Sequence, residues 1–204
     1  MARRTLAVPV VPAKLVEDQN GGGCVKGIMF NLLQEVVVNE RGEAAWDDIL
    51  SAARADGAYT SLGSYPDAEL LRLLVVASPE RETSAAVRWF GRVAMPLLAR
   101  RYPMFFRDHV STQPFLMTLN RVIHTEVRKI YPGADAPDFE FVVESENQLV
   151  LGYQSKRRLC VLAEGLIEGA ADYYAERVSI RQTQCMLEGH DRCLLECTFS
   201  RPVL

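Results

Sequence analysis

The chain has 204 residues, of which 49% are hydrophobic and 24% are charged, and its formal net charge is -3. This composition is typical of a globular protein and excludes a disordered or fibrous one. The weak negative charge argues against a nucleic-acid partner, and no apolar run approaches the ~20 residues of a transmembrane helix. We therefore expect no nucleic-acid or membrane partner and a cytoplasmic location.

The first 24 residues differ from the rest of the chain. A short apolar run follows two arginines, but Pro9 and Pro12 interrupt it, so it does not resemble a targeting signal. Three consecutive glycines, ending at Gly23, separate it from the periodic sequence. We predict that residues 1–24 are a leader, either disordered or foreign to the natural chain, and that the functional domain occupies residues 25–204.

The first part of this domain is predicted to be helical, because its apolar residues recur every three to four positions. The predicted helices are Lys26–Val38, Trp46–Ala55, Asp67–Val76 with Asp67 as its cap, Ala85–Arg101 and Gln113–Tyr131. Tyr102-Pro103 and Pro132-Gly133 end the last two helices. A helical subdomain of about 25–135 follows from this pattern.

After Pro137 the pattern changes to short β-branched, alternating segments. The predicted elements are strands Asp138–Glu144 and Asn147–Ser155, helix Arg157–Arg177, and strands Val178–Leu187 and Arg192–Ser200. The fold class is therefore predicted to be α+β. A helical subdomain precedes a ββαββ subdomain, about 136–200, with a four-stranded antiparallel sheet.

His124 lies near the edge of the apolar face of the last helix of the first subdomain. A histidine in this position is most often a core residue bonded to a carbonyl group. A neutral imidazole on a rigid helix is also how proteins hold a haem iron from one side. Position alone leaves both interpretations open.

Tyr153, Ser155 and Arg157 alternate at the end of a predicted strand, so their side chains should face the same way. Two hydroxyls and a guanidinium on one face suit a ligand that bears two carboxylates, since arginine grips a carboxylate with two hydrogen bonds. The alternative is an ordinary polar strand edge, and the motif is too short to decide between them.

Taken together, these motifs resemble the haem nitric oxide/oxygen binding (H-NOX) domain family, which is related to the haem domain of soluble guanylate cyclase. The resemblance extends from Lys26 to Phe199. The matching features are Lys26-Gly27-Ile28, Gly91, Tyr102-Pro103, Val122-Ile123-His124, Pro137 and Tyr153-Gln154-Ser155-Lys156-Arg157.

The resemblance implies that His124 is the axial ligand of a haem b held between the two subdomains. It also implies that Tyr153, Ser155 and Arg157 bind the haem propionates, and that Pro137 presses on the porphyrin and distorts it. In this family, nitric oxide breaks the iron–histidine bond, and a separate partner such as a histidine kinase or a cyclic-di-GMP enzyme responds. We therefore expect a bacterial sensor rather than an enzyme.

The resemblance also predicts which gas binds. Family members that bind oxygen stably carry a tyrosine at the position of Leu162, where it donates a hydrogen bond to the bound gas. The other pocket positions implied are Met29, Leu33, Ala94 and Leu98, none of which is such a donor. We expect nitric oxide to bind, carbon monoxide to be a second ligand, and oxygen to be excluded.

Five cysteines, an odd number, fit a reducing compartment better than a disulfide framework. Cys185, His190, Cys193 and Cys197 lie close together in the sequence and could bind zinc. Cys193 and Cys197, however, are about 13 Å apart if both lie in one strand, so both cannot easily reach one ion.

The resemblance adds Cys160 to this group and shows Gln182 where the family usually has a histidine. The predicted zinc site is therefore Cys160, Cys185 and Cys193, completed by His190 or Cys197. The alternative function is a zinc/thiol redox sensor. Structural zinc without signalling, unpaired buried thiols and a small-molecule module of the vinyl-reductase type remain open.

Overall fold

The computed structural model of the protein describes residues 23–201, which form two compact units that meet in the chain between Ala86 and Val87. The predicted leader lies outside the described residues except for Gly23 and Cys24, and Cys24 begins the first strand. The predicted subdomain change near 135 follows the change from helices to strands. The compact units divide earlier, because the helices after Val87 share a core with the sheet.

The first unit is mainly helical, as predicted. Its elements are β1 (Cys24–Lys26), α1 (Gly27–Arg41), α2 (Glu43–Ala53), β2 (Ser64–Pro66) and α3 (Asp67–Ala77). The sequence did not predict that β1 and β2 pair antiparallel, with Val25 opposite Tyr65. Asp67 is the first residue of α3 rather than its cap, which is Pro66. A carboxylate in the first helical turn still interacts favourably with the helix dipole.

The core of the first unit comes from the apolar faces of α1 and α3. Phe30, Leu33 and Leu73 are fully buried, and the ring of Phe30 stacks on that of Tyr59 at 4.1 Å between centroids. Burial of these large side chains is the main source of stability for a helical unit of this size. None of the helices in residues 23–201 is long and apolar enough to cross a membrane.

The second unit contains helices and a sheet. Its elements are the rest of α4 (Thr83–Arg101), α5 (Thr112–Leu116), α6 (His124–Ile130), β3 (Asp138–Ser145), β4 (Gln148–Gln154), α7 (Cys160–Tyr173), β5 (Arg177–Gln184) and β6 (Cys193–Ser200). The strands form one antiparallel sheet in the order β3-β4-β6-β5. The prediction of a mixed fold with a four-stranded antiparallel sheet is confirmed.

Two predicted elements differ in detail. The helix predicted over Gln113–Tyr131 is interrupted by the π-helical turn Leu119–Ile123, in which Ile123 N–H donates to Thr118 O at 3.1 Å. Helix α7 starts at Cys160, because the chain first makes a turn in which Arg158 N–H donates to Ser155 O. Arg158 has a φ of 50° in this turn, which no α-helix accommodates.

Helices α4 and α7 pack at unusually short range. A methyl group on Gly91 would lie 2.6 Å from Leu162 O, and one on Gly169 would collide with the carbonyl oxygen of Arg92. Pro96 lacks the N–H that would bond this carbonyl, so Gly169 packs against an oxygen left without its helical partner. The guanidinium of Arg92 binds both carboxylate oxygens of Asp172, at 2.6 and 3.0 Å, across the same contact.

Candidate functional site

The second unit encloses a mainly apolar cavity between the π-helical turn, the sheet and helix α7. Its walls carry six of the residues singled out by sequence: His124, Pro137, Tyr153, Ser155, Arg157 and Leu162. The remaining lining residues are Met95, Leu116, Leu119, Phe139, Leu151, Leu159, Ala163, Leu166 and Ile167. The structure therefore brings together a histidine, a proline and a polar trio that are widely separated in the sequence.

His124 is the first residue of α6, directly after the π-helical turn, and its ring packs against the ring of Phe139 at 5.6 Å between centroids. Burial lowers its pKa to about 4, and the nearby Arg128 acts in the same direction, while the Pro137 carbonyl and Asp138 oppose this. The imidazole is therefore neutral at physiological pH. Its Nδ1 is buried and has no hydrogen-bond partner among the described residues.

An orphaned nitrogen of this kind is costly, since buried polar atoms in proteins almost always have a partner. A hydrogen bond between His124 and the Pro137 backbone satisfies at most the other ring nitrogen, so Nδ1 still lacks a partner among the described residues. A neutral imidazole that keeps a buried lone pair suits a metal ion or a metal-bearing ligand.

Tyr153 lies on β4 and is buried, and its hydroxyl accepts a hydrogen bond from Leu159 N–H at 3.0 Å. Burial raises its pKa to about 12, so the phenol stays protonated near neutral pH and can donate to an anionic ligand. The side chain thus combines a fixed position with a hydrogen-bond donor at the wall of the cavity.

Ser155 and Arg157 line the same cavity, but they lie on a different element from the predicted strand. Strand β4 ends at Gln154, so both residues lie in the turn before α7 rather than on the face of a strand. Ser155 Oγ accepts from Arg157 N–H at 3.2 Å, and Arg157 Nη1 donates to Asp135 O at 3.3 Å. These contacts hold the guanidinium beside the cavity, where it can meet a carboxylate.

The predicted distal residues are dispersed. Leu162 lines the cavity from α7. Ala94 and Leu98 lie on α4, where Ala94 is fully buried and Leu98 packs against the core of the second unit. Met29 and Leu33 belong to α1 in the first unit, and Leu33 is fully buried.

The sequence analysis missed the other apolar walls. On α7 and the residue before it, Leu159, Ala163, Leu166 and Ile167 recur at helical spacing, and this pattern could have identified the face toward the cavity. Met95 and Leu119 carry no such signal, because their roles depend on how α4 and the π-helical turn pack. Apolar walls with a few convergent polar groups are typical of cofactor sites.

This donor set fits a haem. It offers one imidazole lone pair, apolar walls for a flat macrocycle, and a phenol, a hydroxyl and a guanidinium for two carboxylates. The cavity within the second unit measures about 130 Å³, against ~300–1,000 Å³ for typical ligand pockets. It would therefore take the part of a larger ligand that lies beside His124 rather than all of it.

A second cluster lies at the start of α7. The Sγ atoms of Cys160, Cys185 and Cys193 all lie within 4.8 Å of one another, and those of Cys160 and Cys185 are 3.9 Å apart. All three residues are buried, and Met186 N–H donates to Cys193 Sγ at 3.2 Å. Three thiols in this arrangement could coordinate zinc from one side.

The three thiols do not titrate alike. A hydrogen bond from Cys160 lowers the pKa of Cys193, while that same interaction and burial raise the pKa of Cys160. Burial raises the pKa of Cys185. Cys193 is therefore the first of the three to become a thiolate; the hydrogen bond from Cys160 lowers its pKa, whereas Cys185 acts in the opposite direction.

The predicted fourth zinc ligands lie outside the cluster. His190 Nδ1 faces the backbone of Cys185, 3.2 Å from its carbonyl oxygen. The thiol of Cys197 donates to Leu195 O at 3.8 Å instead. Gln182 lies beside Cys160, and its buried Nε2 lacks a partner among the described residues. Since an amide is a weak ligand for zinc, the cluster offers three strong ligands.

Comparison with known proteins gives consistent results. The profile of a protein family described as "Haem-NO-binding" matches residues 26–182. A comparison with curated proteins finds no match.

Among solved structures, an H-NOX protein from S. oneidensis in the Fe(II)NO ligation state is 31% identical, with a TM-score of 0.79, over 87% of this chain and 100% of that one. A triple mutant from S. oneidensis in the Fe(II) state is 32% identical, with a TM-score of 0.80, over 88% and 98%. The unliganded Fe(II) H-NOX protein from K. algicida, 23% identical over 88% and 99%, has a TM-score of 0.74 and shows the fold alone.

The family match covers most of the chain, and the identity to the S. oneidensis proteins extends over nearly all of it. The fold agrees, with TM-scores of 0.79 and 0.80 to those proteins. The chain therefore belongs to the haem-NO-binding (H-NOX) family, whose members are haem-based gas sensors.

Proposed function

We propose that this protein senses nitric oxide with a haem b held by His124 and reports to a separate partner protein. The observation that carries the proposal is the cavity that joins the neutral imidazole of His124, whose buried Nδ1 lacks a partner among the described residues, to Pro137, Tyr153, Ser155 and Arg157. Membership of the family supplies the cofactor class. When bound, a haem would supply an iron that can bind nitric oxide, and His124 would be the residue that holds it.

His124 contributes a nitrogen lone pair, and the imidazole does not have to lose a proton before it can bind a metal. Because its pKa is lowered to about 4, the imidazole needs no deprotonation near pH 7. The short helix α6 places this ring against Phe139 on β3, so the ligand is oriented by the sheet as well as by its own helix.

Tyr153, Ser155 and Arg157 would hold the two propionates. Tyr153 keeps its proton for donation, since its pKa is raised to about 12, and the guanidinium of Arg157 supplies the positive charge. Pro137 lines the same cavity and is rigid, so it is suited to press on a flat ring.

Leu162 would determine which gases bind. Stable binding of oxygen would need a hydrogen-bond donor in the pocket, whereas binding of nitric oxide would not. A leucine on the α7 wall of the cavity cannot donate. We therefore infer selectivity for nitric oxide, with carbon monoxide as a second ligand and oxygen excluded.

The output would be a change in α6 once His124 is released. A ligand shifts a two-state protein only by its different affinity for the two states. The partner would read that shift, and a histidine kinase or a cyclic-di-GMP enzyme in the bacterial cytoplasm fits such a role. The protein itself would act as a sensor and not as an enzyme.

The test is the absorption spectrum of the purified, dithionite-reduced protein before and after air and then nitric oxide. We expect a five-coordinate ferrous spectrum, unchanged by brief exposure to air and converted by nitric oxide. The Leu162→Tyr variant should gain an oxygen complex, while Leu162→Phe, which adds a ring without the hydroxyl, is its matched control. Failure of the reduced wild-type protein to take up haem after reconstitution would refute the proposal.

A second candidate function rests on the three clustered thiols. Cys160, Cys185 and Cys193 would bind zinc or respond to oxidants, with Cys193 as the most easily ionised member. The test is metal content and Co²⁺ absorption of the wild-type protein and the Cys160→Ser variant, with Cys197→Ser as control. Thiolate-to-cobalt bands that persist in Cys160→Ser, or are absent from the wild-type protein, would exclude a zinc site.

A further inference from the structure

The side-chain amide of Asn120 pairs with the backbone of Phe139 through two hydrogen bonds. Its Nδ2 donates to Phe139 O at 2.5 Å, and its Oδ1 accepts from Phe139 N–H at 3.2 Å. Asn120 lies in the π-helical turn that immediately precedes His124. A carboxamide with one donor and one acceptor thus takes both backbone groups of a single strand residue.

This pairing is explained by the position of β3 at the edge of the sheet. Every second residue of an edge strand directs its N–H and C=O away from the neighbouring strand, and these groups need partners. At Phe139, an amide side chain replaces the missing strand. The turn before His124 is therefore fastened to the sheet by directional bonds as well as by apolar packing.

The same residue, Phe139, also contacts the imidazole. Its ring packs on His124 with 31° between the ring planes, while its backbone is held by Asn120. Thr125 Oγ1, in the first turn of α6, donates to Asn120 O at 3.1 Å and so ties α6 back to the π-helical turn. Any displacement of His124 along or away from β3 must strain or break the Asn120–Phe139 pair.

We infer that Asn120 is a positioning residue that sets where the His124 imidazole is held relative to the sheet. The inference rests on the proposed function, because the imidazole matters only as an axial ligand. The π-helical geometry supports it: the extra residue in the turn directs the Asn120 side chain at β3 while His124 faces the cavity. Such turns occur frequently at functional sites.

Removal of the two hydrogen bonds between Asn120 and Phe139 should therefore make the position of the His124 imidazole less fixed. In the ferrous protein, Asn120→Ala should shift and broaden the iron–histidine stretching band in the resonance Raman spectrum, since the imidazole then samples several positions. Conversion of the six-coordinate to the five-coordinate nitrosyl should accelerate. In the haem-free protein, the backbone amide of Phe139 should lose its protection against hydrogen exchange.

The chain contains a matched control on the same strand. Gln113 Nε2 donates to Ser145 O at 3.1 Å, so a second carboxamide holds the opposite end of β3, remote from His124. Gln113→Ala removes a bond of the same type and should leave the iron–histidine band unchanged. If Asn120→Ala does not fold, the isosteric Asn120→Asp variant serves instead, because it keeps the acceptor and loses the donor.

The outcomes separate the two proposals. Loss of Phe139 protection together with an altered iron–histidine band, in Asn120 variants but not in Gln113→Ala, supports the inference. Loss of protection with an unchanged band means that Asn120 only stabilises the sheet edge, and it overturns the inference while leaving the sensor intact. A band altered equally by Gln113→Ala overturns it too. Absence of haem from the wild-type protein refutes the proposed function and this inference with it.

Discussion

The two clusters of reactive side chains in the second unit differ in how their polar atoms are satisfied. Around His124, the buried Nδ1 has no partner among the described residues, and Tyr153 and Arg157 line the same cavity. In the thiol cluster, Cys160, Cys185 and Cys193 interact mainly with each other, and the unpartnered atom is Nε2 of the neighbouring Gln182. An unsatisfied group on a residue that lines a cavity indicates an external ligand, whereas thiols that partner one another need none.

The two regions are close in sequence, which makes the comparison testable. Arg157 lies beside the cavity, and Cys160, three residues later, begins α7 and belongs to the thiol cluster. One helix therefore contributes to both, and substitutions can separate their effects.

The largest expected effect comes from replacing the histidine beside each region with alanine. His124→Ala should abolish the five-coordinate ferrous spectrum, because the variant lacks the nitrogen that holds the iron, and added imidazole should restore it. His190→Ala is the matched variant, since its ring faces only the Cys185 backbone. Absorption spectra of the reduced proteins measure both. A wild-type spectrum from His124→Ala, or its loss in His190→Ala, would show that the wrong histidine has been assigned.

The next effect is the pH dependence of the haem-free protein. The folded pKa of His124, about 4, lies below the unfolded value of 6.5, so the unfolded chain takes up a proton that the folded one resists. Stability should therefore be unaffected above pH 6.5 and fall as the pH drops from 6.5 toward 4, by about 3 kcal/mol at most, since the ring is only partly buried. Urea denaturation across this range measures the loss. His124→Gln should flatten the curve, and an equally steep curve in that variant would assign the effect to other groups.

The sequence predicted which polar residues meet at this cavity better than it predicted the local structure around them. The motif from Tyr153 to Arg157 was recognisable because its residues are neighbours, although its strand geometry was wrong for Ser155 and Arg157. The π-helical turn and the Asn120–Phe139 pair could not be predicted, because helical periodicity alone does not show a one-residue insertion. The mixed fold was predictable, since the period of the apolar residues changes after Pro137.

For the thiol cluster, spacing alone was misleading. Cys185, His190, Cys193 and Cys197 are adjacent in the sequence, yet the structure selects two of them and adds Cys160 from another element. Strand geometry had argued against a joint role for Cys193 and Cys197, and both residues do lie in the single strand β6. The position of the His190 ring depends on the turn after Met186–Glu188, which composition does not specify.

A smaller effect is expected at the carboxylate-binding side. Arg157→Ala should weaken haem binding roughly 10- to 100-fold, because a hydrogen bond to a charged group contributes about 1.5–3 kcal/mol. Lys156→Ala, an exposed cation next to it, should change the affinity little. Transfer of haem to apomyoglobin measures the loss rate of each variant. Equal loss rates for the two variants would mean that only net charge, and not the position of Arg157, matters.

The smallest effect tests whether α7 transmits a change to both regions. A methyl group at Gly169 would lie 2.6 Å from Met95 Cβ and collide with Arg92 O, so Gly169→Ala must push α7 away from α4. Overpacking of this kind costs about 1–3 kcal/mol, and in a chain of this size each kcal/mol lowers the Tm by roughly 2–4 °C. Gly152→Ala is the control, since its methyl would lie 3.3 Å from Glu140 Cβ and 3.7 Å from Leu194 Cδ2, without a backbone collision.

Because Met95 lines the cavity, Gly169→Ala should also weaken haem binding, whereas the thiols at the far end of α7 should keep their affinity for Co²⁺. Calorimetry, haem transfer and cobalt titration on one preparation give the three values. A parallel loss of haem and cobalt affinity would show that α7 moves as a rigid body. The cavity and the thiol cluster would then be coupled through this helix. Loss of haem affinity alone would show that the displacement fades along the helix, which leaves the cavity and the thiol cluster independent.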